Sequence, residues 1–173
     1  FSFIDQTIDN GTDGLYRIVS FTGNTYYLLD YNAGVWVQLN SGDGSFINPA
    51  DYDDVNNVLY SHETIGTITE TTLNADNAEQ GAQTLFFGNT QNLSILELTT
   101  ATTHIRVSPY NESNRAVFFG TSANVLIKRT ADGTVTDISN NNVFEGAISC
   151  VEIGASDDEL LLTYSNYGVE SVW

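Results

Sequence analysis

The amino-acid sequence predicts an all-β fold built from repeated, small antiparallel sheets. Only 16% of the 173 residues are charged, 12% are aromatic, and Asn, Thr, Ser and Gly are abundant. That composition favours strands and turns over long helices, which are rich in Glu, Lys, Ala and Leu. Short apolar runs also alternate with turn residues along the chain, and no stretch has sustained helical periodicity.

A repeated order of elements is the third observation. A strand, a polar turn, an apolar strand, a small-residue turn and a third strand recur, and a partial copy precedes them; the four stretches are 15–40, 46–72, 105–133 and 151–173. Aligning Pro49, Pro109 and Ala155 as marks of one turn gives spacings of 60 and 46 residues (109 − 49 and 155 − 109). The longer interval contains 74–83, which we expect to be a loop insertion.

Periods of about 40–50 residues made of four short strands are typical of β-propeller blades. A blade buries its faces only by stacking on its neighbours. We therefore predict one incomplete propeller with about four partial blades, at 1–45, 46–103, 104–149 and 150–173. Since closed propellers usually have about four to eight blades, the sequence favours a fragment of a larger propeller. The alternative is a complete subunit whose partial propeller is closed by association with other copies of the chain.

One stretch places apolar, proline, asparagine and glycine residues in a distinctive order: Ile105, Val107, Pro109, Asn111, Asn114, Val117, Phe118, Gly120 and Thr121. This order resembles the opening of a blade in the BNR/Asp-box, sortilin-like propeller family. That family includes xyloglucanase-like glycoside hydrolases and many cell-surface proteins of Bacteroidetes. The resemblance implies a propeller in an exported or cell-surface, bacterial protein.

The family's Asp-box is a hairpin turn with the pattern S/T-x-D-x-G-x-T-W. Two segments match it in part: "DYNAGVW" through Asn32, Gly34 and Trp36, and "TADGTVT" through Thr130, Asp132 and Gly133. They lie 100 residues apart (132 − 32), or about two blades. The resemblance implies a structural role, in which Asp or Asn caps backbone N–H groups and Trp packs between strands.

Charge excludes some partners. The formal net charge is −17, with five Lys and Arg residues, so nucleic acid and anionic membranes would be repelled. We expect no membrane span, because no run of 18 apolar residues occurs. The acidity fits the solubility of an exported protein; the alternative is binding of cations or a basic partner. The single cysteine, Cys150, excludes an internal disulfide and is predicted to be a buried packing residue.

Three aspartates form the candidate metal site. Asp51, Asp53 and Asp54 lie in the segment "DYDDVNN", and several converging oxygens are what Ca²⁺ requires. The alternative is a solvated turn, which the comparable segment "SDDE" at 156–159 favours. No other cofactor is predicted. His62 and His104 have no metal-ligand spacing and are expected to be packing or surface residues.

Tyr31 and Tyr167 are candidates for stacking against a sugar, although tyrosines in a propeller also pack between blades. No catalytic acid pair can be singled out, so the sequence leaves enzymatic activity open and favours its absence. We predict a non-enzymatic scaffold or interaction module of a secreted or cell-surface protein. Its partners would be a protein or a polysaccharide, together with the remaining blades of the parent propeller. The alternatives are part of a propeller-type glycoside hydrolase and a self-assembling subunit that uses open blade edges.

Overall fold

The computed structural model describes residues 2–4, 15–21, 25–30, 35–41, 49–56, 58–73, 87–139 and 145–165, with backbone pairing alone for 2–41. Every regular element in these ranges is a β-strand, and all strand pairs are antiparallel. The prediction of an all-β, antiparallel protein is therefore confirmed.

The strands form four sheets in which each strand pairs with its neighbour in sequence. The first sheet contains β1 (Ser2–Ile4), β2 (Leu15–Phe21), β3 (Thr25–Asp30) and β4 (Val35–Ser41). The second contains β5 (Ala50–Asp53), β6 (Val58–Thr64), β7 (Thr67–Leu73) and β8 (Phe87–Ser94). The third contains β9 (Thr102–Val107), β10 (Val117–Thr121), β11 (Leu126–Arg129) and β12 (Val135–Asp137). In the fourth, β13 (Ala147–Ile153) pairs with β14 (Leu160–Ser165).

The first two sheets lie within the ranges predicted as blades, whereas β9 begins at Thr102 and β13 at Ala147, slightly before the predicted boundaries at 104 and 150. The division into blades stays a prediction. The expected loop insertion at 74–83 lies outside the described residues. Short connections explain the simple strand order, because antiparallel neighbours can be joined by tight turns. Gly66, at φ +78°, provides one such turn between β6 and β7.

The β9–β12 sheet is packed on both faces. Its face toward the β5–β8 sheet contributes Val117 and Phe119 to one core, which also holds Tyr60 and Ile68. Its other face contributes Phe118 to a second core with residues of the β13–β14 sheet. All five residues of β10 are consequently buried, so its apolar residues Val117, Phe118 and Phe119 follow one another instead of alternating with polar ones.

Successive sheets stack in one direction along the chain. We call the face of a sheet that points to the next sheet its leading face, and the opposite one its trailing face. The most extensive contacts between the last three sheets involve their first two strands, through β5 with β9, β6 with β9, β9 with β13 and β10 with β13. These three sheets therefore approach each other at their first strands.

The strand register corrects the alignment of the repeat. Pro49 lies just before β5, whereas Pro109 and Ala155 follow β9 and β13, so Pro49 does not mark the same turn and that alignment is wrong. Proline lacks an N–H and is accommodated both at the start of a strand and in the turn after it, which makes it a poor register marker.

Equivalent positions follow instead from strand pairing. Asp51 pairs with Tyr60, Arg106 with Phe118, and Glu152 with Leu161. Tyr60 and Phe118 are buried on the leading faces of their sheets. The repeat therefore has spacings of 55 and 46 residues (106 − 51 and 152 − 106), and it places a charged residue at the same point of three first strands.

Candidate functional site

The connections that follow the first strands of the last three sheets lie together at one end of the stack. We call this surface the rim; it consists of residues 54–56, 108–116 and 154–159. Hydrogen bonds and ion pairs join each connection to the next, so the rim is one continuous polar surface.

The first link of the rim centres on a largely buried ion pair. The Arg115 guanidinium lies 3.2 Å from Asp53 Oδ1 and 2.6 Å from Asp54 Oδ1, and the Arg115 and Asp53 side chains are only 11% and 4% exposed. Asp53 Oδ1 also accepts the N–H groups of Val55 and Asn56, which closes an Asx-type turn. The Asn56 amide donates to Asp53 Oδ2 (2.7 Å) and to the Glu112 carbonyl (3.0 Å).

The second link joins the connections after β9 and β13. The buried Ser108 hydroxyl donates to Asp157 Oδ1 at 2.5 Å and accepts the Tyr110 N–H at 3.0 Å. The Tyr110 hydroxyl donates to the Gly154 carbonyl. Lys128 Nζ lies 3.6 Å from Asp158 and 5.5 Å from the centre of the Phe118 ring, so it connects the rim to the core below.

Below the rim, the charged residues of the first strands form a row. Asp51 Oδ2 accepts the Val107 N–H at 2.7 Å, and the Arg106 guanidinium pairs with Glu152 at 3.1 Å. Burial raises the pKa of Asp51, against the lowering effect of its backbone hydrogen bonds and of Arg106. Burial, reinforced by the charge of Arg106, lowers the pKa of His104.

The solvent side of the rim is strongly acidic. The Asp158 side chain is 94% exposed and that of Asp54 is 57% exposed, and Glu112 and Glu159 are also exposed. Both basic side chains near it, Arg115 and Lys128, are engaged in the pairs described above. The rim therefore presents carboxylates to solvent on an ordered backbone.

Each of the three predicted metal ligands already has a protein partner. Asp51 accepts a backbone N–H of β9, Asp53 completes its turn and pairs with Arg115, and Asp54 pairs with Arg115 from the solvent side. Among the described residues, no three His, Cys, Asp or Glu side chains are grouped to hold a metal ion. Calcium binding at these aspartates stays a prediction.

The second Asp-box-like segment forms the hairpin between β11 and β12. Asp132 Oδ1 accepts the Thr130 hydroxyl at 2.6 Å and the Thr134 N–H at 2.9 Å, and Gly133 has φ +87°. These hydrogen bonds lower the pKa of the exposed Asp132 to about 2, and the bond from the Thr130 hydroxyl has the largest effect. The arrangement stabilises the turn itself.

Of the first Asp-box-like segment and the sugar-stacking candidates, only Trp36 lies within the described residues. Trp36 lies in β4, where it pairs with Leu29. The remaining sugar-stacking and Asp-box candidates lie outside the described residues: Tyr31, Asn32, Gly34 and Tyr167.

The prediction that Cys150 is buried is wrong. This residue is partly exposed, because neighbouring Val151 takes the place in the core and alternation turns Cys150 to the leading face.

Sequence reasoning missed the row of Asp51, Arg106 and Glu152 and the role of Arg115 as a link between sheets. The row could have been found only by aligning the first strands at spacings of 55 and 46 residues. The Arg115 link gives no local signal, because its partners lie about sixty residues earlier in the chain.

No element in the described ranges is a helix long and apolar enough to cross a membrane. Comparison with known proteins returned no matching family model, no matching curated protein and no matching solved structure.

Proposed function

We propose that the chain is a β-propeller segment of a secreted or cell-surface protein and acts as a non-enzymatic interaction module. The proposed architecture is supported by three antiparallel sheets that stack face to face and converge at their first strands. Sheets arranged radially around an axis have this relation. The resemblance of residues 105–121 to the BNR/Asp-box, sortilin-like family belongs to the same proposal.

The rim is the observation that carries the proposed role. Connections between strands commonly bear function when a rigid scaffold holds them in place. Here Arg115, Asn56, Ser108 and Tyr110 tie three successive connections together. A partner would meet a preformed surface and would not have to order these connections, which lowers the entropic cost of binding.

The chemistry of the rim favours a protein partner with basic residues. Its exposed charged side chains are all carboxylates, and its cations already have carboxylate partners. Complementary charge would speed association and suppress acidic competitors. The net charge of −17 would add to this selection at long range.

Affinity capture with matched charge reversals tests the proposal. The bait is the full chain, exposed to surface and secreted proteins of the source organism. Glu112→Lys and Asp158→Lys each reverse one exposed rim charge. Glu97→Lys makes the same charge change in the connection between β8 and β9, at the opposite end of the sheets, where Ile95 bonds to Gly66.

We expect one protein to be retained by the wild type and by Glu97→Lys, with at least about tenfold less retained by either rim variant. Equal retention by all four proteins would exclude the rim as the binding surface. The same four proteins should be applied to a polysaccharide array. Binding or hydrolysis of a polysaccharide there would replace the proposed protein partner by the glycan alternative.

A further inference from the structure

His104 lies in the interface between the β9–β12 sheet and the β13–β14 sheet. It pairs with Gly120 of β10, where the sheets approach so closely that a Cβ atom on Gly120 would lie 2.6 Å from Ile148 Cγ2 and 3.6 Å from His104 Cβ. Next to it, the Thr103 hydroxyl donates to the Ile148 carbonyl of β13 at 2.5 Å. The imidazole of His104 is therefore held where the two sheets meet.

The two ring nitrogens of His104 have different surroundings. One donates a hydrogen bond to the backbone of Val151, a residue of the core of this interface. The other, Nε2, is buried and has no hydrogen-bond partner among the described residues. A neutral imidazole carries one N–H, whereas a protonated imidazole carries an N–H on both nitrogens. Protonation would therefore bury a charged donor without an acceptor, so the packed site favours the neutral ring.

Two charged groups act on His104 with opposite effects. Arg106, on the same strand, disfavours a positive charge on the ring, and Glu152 of β13 favours it. Glu152 already pairs with Arg106 at 3.1 Å. Burial is the largest effect and also opposes protonation, so the pKa of His104 is lowered.

The other elements packed around β9 offer His104 no free carboxylate in the part of the chain that the structure describes. β10 has no ionisable side chain along Val117–Thr121. Lys128 of β11 adds a second cation on the leading face, where it lies over an aromatic ring. Tyr164 of β14 is buried there, and burial raises its pKa, so it is uncharged. β5 and β6 pack on the trailing face, and Asp51 of β5 accepts a backbone N–H of β9.

We propose that the β13–β14 sheet packs more weakly on the β9–β12 sheet once His104 is protonated, so that mild acid favours release of the last sheet. Release would separate Ser108 from Asp157 and Tyr110 from Gly154, which form the second link of the rim. The first link joins the two preceding sheets and would persist. The rim would then be continuous near neutral pH and divided in mild acid.

The pH range of the effect follows from proton linkage. The pKa of His104 is lower in the packed protein than in the released sheet, where it returns toward about 6.5. Packing is therefore strongest above that value and weakens as the pH falls from it to the lowered pKa. Asp51 acts with the opposite sign, because its pKa is raised by burial and its protonation favours the packed protein. The effect of His104 must therefore be measured against a variant that lacks only this imidazole.

Hydrogen exchange of the intact chain, measured by mass spectrometry at about pH 7.5 and about pH 5.5, tests the proposal. Exchange rates are corrected with the same peptides from the unfolded chain, because intrinsic exchange also depends on pH. We expect the protection of β13 and β14 in the wild type to fall at least about threefold in acid, and that of β6 and β7 to change less. His104→Asn should abolish this fall, because Asn stays neutral and its amide can still donate to the Val151 carbonyl.

His62→Asn is the matched control. His62 is the other histidine of the chain and lies on β6, outside this interface. His62 is fully buried, so the change can lower overall stability at both pH values. The additional loss of protection of β13 and β14 in acid should nevertheless remain.

Equal protection of β13 and β14 at the two pH values in the wild type would overturn the proposal, as would an equal loss in the wild type and in His104→Asn. A loss that is uniform over the last three sheets would also overturn it, because acid would then weaken the whole protein. Titration of the His104 ring by NMR requires no substitution at that site, and a pKa at or above about 6.5 would contradict the proposal. None of these measurements uses a partner of the rim, so this proposal and the proposed function can fail separately.

Discussion

The two interfaces of the β9–β12 sheet use polar groups differently. On the side of the β5–β8 sheet, Arg115 pairs with Asp53 and Arg129 with Glu70, and all four side chains are largely buried. On the side of the β13–β14 sheet, Arg106 pairs with Glu152 and Lys128 with Asp158, and the two acids are mostly exposed. Among the described residues, the apolar core is also larger on the first side, with nine buried residues against six.

The difference concerns two separate properties of an interface. One is how much the interface adds to the free energy of unfolding, and the other is how strictly it fixes the position of one sheet on the next. Exposed ion pairs contribute little to the free energy of unfolding, so the second interface depends on its apolar core and on neutral hydrogen bonds such as Thr103 to the Ile148 carbonyl. Buried pairs carry a desolvation cost, and they penalise any arrangement that leaves one charge without its partner. We infer that the first interface is fixed more strictly in register than the second.

The largest expected effects come from neighbouring phenylalanines that serve opposite interfaces. Phe119→Ala opens the first core and Phe118→Ala the second, and each should lower the free energy of unfolding by about 3–5 kcal/mol. We expect the larger loss for Phe119→Ala. Urea denaturation measures both, with Phe→Leu at each site as the conservative control. A loss below about 1 kcal/mol at either site would mean that its interface adds little to folding.

Arg115→Leu should have the next largest effect, about 3 kcal/mol, because it leaves the buried Asp53 carboxylate without its cation. Arg106→Leu, at the exposed pair, should cost less than about 1 kcal/mol. Equal losses in the two variants, measured by the same denaturation, would remove the distinction between buried and exposed pairs. Combining Arg115→Leu with Asp53→Asn should recover part of the loss.

Gly120→Ala tests how closely the sheets approach at the second interface. A Cβ atom at this position would lie 2.6 Å from Ile148 Cγ2, so the Ile148 side chain or one of the two sheets must move. We expect a loss of about 1–3 kcal/mol. Ile148→Ala provides space for the new methyl group, and the double variant should be more stable than the sum of the two single losses predicts. Strict additivity would contradict the close approach.

Asp51→Asn should give the smallest effect, and its sign depends on pH. Burial raises the pKa of Asp51 in the folded protein, so ionisation of this carboxyl costs stability as pH rises through that raised value. Asn is neutral and can still accept the Val107 N–H. The variant should therefore be at least as stable as the wild type at neutral pH, and this relative gain should disappear below the pKa of the unfolded chain. Thermal unfolding at neutral and acidic pH measures the difference; a gain that grows in acid would contradict it.

Strands could be predicted from sequence where apolar runs were bounded by turn residues. "AVFFGTS" corresponds to β10, and the glycine-containing turn of "TADGTVT" joins β11 to β12. The repeat register could not be set from Pro49, because proline suits more than one place around a strand. The position of Cys150 depends on which face of β13 meets the core, and one shift in register reverses it. The Arg115 link is set by stacking of sheets distant in sequence, which local patterns do not encode.

Every residue of β10 is buried, and this limits which substitutions the strand can accept during evolution. A replacement on that strand must fit two interfaces at once, so few alternatives are compatible with folding. Glu112 and Asp158 in the connections above it face solvent and can be exchanged at little cost to the core. Selection for a new partner can therefore act on the connections while the stacked strands preserve the fold.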